Sequence, residues 1–94
     1  MSETTIDLRE AAIKQGLHYQ LAVKLGFPDW YGNNWDAFWD VIRDPDIVVM
    51  PDRLILLGFK EFSEKFPKDA EIFWQLLLDL KQEYPSLSCE VIYS

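Results

Sequence analysis

The chain has a single cysteine, Cys89, among its 94 residues. No internal disulfide can form, which fits a reducing compartment. Base is also scarce: nine Lys and Arg stand against sixteen Asp and Glu, for a net charge of −7. Phosphate binding needs a basic face, so this balance argues against nucleic acid as a direct ligand and favours a basic partner. No apolar run approaches the roughly 20 residues of a membrane span. The start Met1-Ser2-Glu3-Thr4-Thr5 lacks the basic and then apolar layout of a secretion signal, and a cytoplasmic protein is expected. With four glycines, the chain holds no phosphate-cradling loop, and it has no zinc-ligand spacing. Asp44, Asp46 and Asp52 cluster, but Pro45 and the missing loop glycine break the calcium-loop pattern. Neither metal nor cofactor nor small-molecule substrate is expected.

What the chain does hold is apolar mass. It is 49% hydrophobic and 15% aromatic, enough for a core of its own. The length predicts one domain over residues 1–94, with a radius of about 13 Å. The charge is uneven: residues 1–52 carry net −5 and residues 53–94 net −2.

Thr4 to Leu8 alternates and is β-branched, which predicts a first strand. From Ala12 to Gly26, the residues Ile13, Leu17, Leu21 and Leu25 recur every four positions, which predicts an amphipathic helix stopped by Gly26 and Pro28. A second helix is expected from Asn33 or Asn34 to about Arg43, ended by Asp44-Pro45-Asp46. The unbroken run Leu54-Ile55-Leu56-Leu57 suits a middle strand covered on both faces. Phe59 to Phe66 reads as a short helix. Pro67 opens a longer one to about Glu83, with Ile72, Phe73, Leu76, Leu77 and Leu80 as its buried stripe. Ser88 to Tyr93 gives a last strand, in which Cys89 reads as a small buried apolar residue. The predicted fold is α/β: a three-stranded parallel sheet flanked by helices in the order β-α-α-β-α-α-β.

The stretch Trp30 to Ile42, W-Y-G-N-N-W-D-A-F-W-D-V-I, carries the functional signal. On the second helix Asp36 and Asp40 stand one turn apart on one face, while Trp35, Phe38, Trp39 and Ile42 recur on another. Paired carboxylates at i and i+4 repel by about 0.2–0.5 kcal/mol, so a chain needing only a helix has no reason to keep both. Asp36 has a bland alternative: with Asn33 as N-cap it sits at the third helical position, where a carboxylate favours the helix dipole. Asp40 is mid-helix, where Asp is a poor helix former, and it reads as a partner contact. Phe38 and Ile42 are expected in the core, Trp35 on the exposed edge, Trp39 at the boundary and Trp30 exposed in the loop. Gly32 is expected to supply a positive φ before the helix. Trp74, off the stripe of the last helix, is expected to be partly exposed. His18 has no nucleophile motif around it and reads as a hydrogen-bonding histidine.

The segment P-D-W-Y-G-N-N-W-D-A-F-W-D resembles the motif of the barstar family, and Leu17-His18 ten residues before Pro28 extends the likeness. The resemblance implies the same fold and an inhibitor of a ribonuclease, plugging the active site with the second helix and the loop before it. It places Trp30 and Trp39 at aromatic contacts, Asn34 at a backbone contact and Trp35 at an apolar contact. Asp36 and Asp40 take the acidic contacts, and Asp79 matches a further acidic one on the fourth helix. No catalytic residue is implied.

Two departures from the family's pattern point to a target other than barnase. Trp35 replaces a smaller aliphatic residue. The loop Asp44 to Asp52 is longer, lacks an aromatic and is enriched in acid instead.

The expected function is a 1:1 immunity protein or antitoxin against a basic ribonuclease toxin, through acidic mimicry of RNA phosphates. The alternative is a barstar-like immunity protein against a non-ribonuclease toxin of an interbacterial competition system. An enzyme with Asp36 and Asp40 as acid and base, about 6 Å apart, lacks a nucleophile and an orienting partner.

Overall fold

Three short strands and the helices between them set the architecture. The computed structural model describes residues 2–10 and 14–94. Strand β1 covers Glu3–Asp7, β2 Arg53–Leu57 and β3 Glu90–Tyr93. All pairing is parallel, in the order β1-β2-β3, so the predicted middle strand is central. Helix α1 spans Lys14–Leu25, α2 Trp35–Ile42, α3 Phe59–Lys65 and α4 Pro67–Glu83, giving the expected β-α-α-β-α-α-β order. Ala12 and Ile13, the predicted start of α1, lie outside the described residues. The Cα radius of gyration is 12.2 Å.

In-register parallel partners share a face of the sheet. Thr4, Leu54 and Val91 line one face with Ile6 and Leu56, while Thr5, Ile55 and Ile92 line the other. Ile6, Leu54 and Leu56 are fully buried, in one cluster with Leu17, Leu21, Phe38, Phe73 and Leu80 from the helices. The opposite face is open in part: Ile55, Leu57 and Ile92 are half-buried and Thr5 is exposed. The expectation that β2 is covered on both faces is therefore corrected. An unbroken apolar run does not distinguish two covered faces from one, because half-exposed Ile and Leu are common on protein surfaces.

Helix ends follow the sequence where glycine and proline decide them. Gly26 takes φ 73° after α1, the left-handed stop that glycine adopts without strain. Pro67 opens α4 at its first position. The buried stripe of α4 is Ala70, Phe73, Leu77 and Leu80, and Ile72 is exposed instead. The stripe runs at i, i+3, i+7 and i+10, which turns position 72 off the core. Cys89 is half-buried and lies one residue before β3, and burial pushes its thiol pKa up to about 11.

Candidate partner-binding ridge

Helix α2 begins one residue later than a cap at Asn33 requires. Asn33 adopts φ 53°, a left-handed conformation that Asn tolerates better than most residues. Asn34 is then extended, and its Oδ1 accepts the Ala37 N–H at 2.8 Å while its Nδ2 donates to the Gly32 carbonyl at 3.1 Å. This selects the second of the two candidate caps and corrects the expectation for Gly32. Asp36 sits at the second helical position rather than the third, still in the first turn where a carboxylate favours the dipole. The positive φ belongs to Asn33, not Gly32. Glycine at 32 answers a close approach: an added Cβ would lie 3.2 Å from Asn34 Nδ2 and 3.5 Å from Ala37 Cβ.

The apolar side of α2 buries Trp35, Phe38, Val41 and Ile42. Trp35 is only 7% exposed, which corrects its placement on the exposed edge. Its ring stacks on Phe73 at 5.2 Å and meets Phe38 edge-on at 5.5 Å and His18 at 4.5 Å. Its Nε1 donates to Asp69 Oδ1 at 2.9 Å, giving the indole's single polar atom an acceptor inside the fold. Trp39, one turn on, takes the boundary and is half-buried as expected.

The loop before α2 is held from beneath. Tyr31 is buried, and its hydroxyl and His18 Nδ1 share a hydrogen bond of 2.6 Å. Burial pushes the Tyr31 phenol above its ordinary range. His18 is fully buried, in line with a hydrogen-bonding histidine. This anchor leaves the neighbouring Trp30 turned outward, 67% exposed, as the sequence predicts.

Asp36 and Asp40 both point to solvent. Asp36 has no ion-pair partner among the described residues. Asp40 Oδ1 accepts from Arg43 Nη2 at 2.9 Å. Trp30, Asp40, Arg43, Asp44, Ile47 and Tyr84 line a shallow depression of about 500 Å³ beside the helix. One side of the molecule thus combines two carboxylates with Trp30 and the edge of Trp39.

The sequence matches the family Barstar (barnase inhibitor) over residues 1–91. The chain belongs to the barstar family. It is also 42% identical over 66 residues to a Bacillus subtilis (strain 168) protein named "Putative ribonuclease inhibitor YrdF", covering 70% of this chain and 69% of that protein.

In this barstar-family chain the residues expected at the contact surface do not all reach it. Trp30, Asn34, Asp36 and Asp40 are exposed and Trp39 is half-buried, whereas Trp35 faces the core; the Asn34 side chain serves the cap. Asp79 is half-buried on α4, accepts from Gln75 Nε2 at 2.9 Å and does not line the depression. Of the acidic loop residues, Asp52 is tied to β1's start, its carboxylate taking the Ser2 N–H at 2.9 Å. Asp44 caps its own turn by accepting from Asp46 N at 3.0 Å.

Sequence reasoning missed Tyr84. Its ring meets Trp39 at 6.2 Å and closes the depression from the end of α4. Sequence separation hides that contact, and only its place at the end of an apolar helix hinted at it. No helix of the described residues is long and apolar enough to cross a membrane. No group of three or more metal-ligating side chains comes together among them.

Proposed function

We infer that this chain binds and inhibits a basic ribonuclease, as an intracellular immunity protein or antitoxin in a 1:1 complex. The observation that carries the reading is the exposure of Asp36 and Asp40, one turn apart on α2, in a barstar-family chain. A ribonuclease must stabilise phosphate charge and so gathers Arg, Lys and His in its cleft. Two carboxylates on a helix locked to the core can take the phosphate positions, and an arginine can meet each with paired bonds. Trp30 and the exposed part of Trp39 supply flat apolar area beside the charges. Asp79 is a peripheral contact on the same reading, and Trp35 and Asn34 act by holding the ridge in shape.

Co-purification with the tagged chain from its native host, followed by an RNA-cleavage assay on the captured basic protein, tests the proposal. The expected result is a ribonuclease whose cleavage stops at one equivalent of the chain. Capture of a toxin that cleaves no RNA would move the reading to the non-ribonuclease alternative.

A further inference from the structure

Asp40 is already occupied in the unbound chain. Arg43 Nη2 lies 2.9 Å from Asp40 Oδ1, three residues along α2's end. The guanidinium carbon sits 5.5 Å from the centre of the Trp39 ring, a cation–π distance. The Asp40 carboxylate foremost, and then the Tyr84 side chain, stabilise the charged guanidinium and raise its pKa. Arg43, Asp40 and Tyr84 also line the depression with Trp30. A cation is therefore held by three neighbours at the carboxylate on which the proposed partner contact centres.

We propose that Arg43 is a resident competitor for Asp40: it fills the place of the partner's cation until complex formation, and it sets which cations displace it. This rests on the partner-binding reading of α2. The contact is one-pronged, from Nη2 to Oδ1. A lysine ammonium is a compact point charge and offers Asp40 little that Arg43 does not already give. A guanidinium that engages both carboxylate oxygens gives more. Asp36, one turn away and without an ion-pair partner among the described residues, receives a second cation at no such cost. Arg43 thus selects for arginine at Asp40 and against lone or lysine-only cations. A plain exposed helix pair, by contrast, would stabilise the helix slightly and leave binding alone.

The test titrates hexa-arginine and hexalysine peptides into the ¹⁵N-labelled full chain at low salt, following backbone amide shifts. The variants are Asp40→Asn, Arg43→Gln, the double variant, and Lys81→Gln as a charge-matched control on exposed α4. Arg43→Gln is expected to bind hexa-arginine about two- to fivefold tighter, the scale of an exposed ion pair. Hexalysine gains more than hexa-arginine, and both gains vanish when Asp40 is also changed. The inference is overturned if Arg43→Gln binds no tighter than wild type, if the gain survives in the double variant, or if Lys81→Gln matches it. If Asp40→Asn weakens binding and Arg43→Gln does nothing, the Arg43 inference alone fails. If Asp40→Asn changes nothing, the reading of α2 as a cation-binding ridge fails with it.

Discussion

Asp40 and Trp35 lie five positions apart on one helix and have opposite duties. Asp40 is exposed, and its solvent-screened pair with Arg43 adds little to folding. Asp40→Ala also removes a poor helix former, so folding stability is expected to change by less than about 1 kcal/mol in urea titration. The same change is expected to weaken the ribonuclease complex by about 2–5 kcal/mol, the general range for truncating one member of a buried charge pair. Trp35→Ala reverses the pattern. Loss of the stack on Phe73 and of the bond to Asp69 is expected to cost about 3–5 kcal/mol of folding stability in the same titration. Much of this was legible from residue type and spacing, since Asp36, Asp40 and Trp30 stand where polarity and loop position put them. Trp35 was not, because a tryptophan serves equally as core filler and as interface anchor. Which role it takes depends on Asp69 and Phe73, more than thirty residues away.

At the scale of elements, α2 is eight residues long, too short to hold itself together in water. Its order comes from the buried Trp35, Phe38, Val41 and Ile42 and from the Asn34 cap. Asn34→Ala is expected to cost about 1 kcal/mol of stability by chemical denaturation, within the 0.5–2 kcal/mol typical of cap loss. A fall in affinity without any fall in stability would make Asn34 a contact rather than a cap. The helices and strands themselves were readable, because 3.6-residue and two-residue periods, Gly26 and Pro67 mark them directly. The cap stayed open between Asn33 and Asn34 because two adjacent asparagines are equally good caps. Only the backbone, with Asn33 left-handed, decides between them. The openness of one face of β2 was hidden for a related reason: Leu54 to Leu57 contains no polar residue to mark the exposed side.

For the whole molecule, charge and burial set two expectations. Burial raises the pKa of the Tyr31 and Tyr93 phenols and takes the Cys89 thiol up to about 11 from an ordinary 9.0. For each, the folded state keeps its proton to higher pH than the unfolded chain. The stability they contribute is complete below the unfolded pKa and is lost as pH rises through the folded one. The urea midpoint is therefore expected to fall between pH 9 and pH 11 on account of Cys89, and further above pH 10 as the tyrosines join. A midpoint flat across that range would contradict the assignment of burial as the cause. The net charge of −7, weighted to the half that carries the ridge, implies an association rate that falls steeply with added salt.

The central claim is that Asp36 and Asp40 together meet the cations of the target's active site. Isothermal titration of the co-purified ribonuclease with wild type and with the Asp36→Asn, Asp40→Asn double variant tests it most directly. The account predicts a folded variant whose affinity is lower by about a thousandfold or more, if each carboxylate contributes about 2 kcal/mol or above. Undiminished affinity in that variant would contradict it.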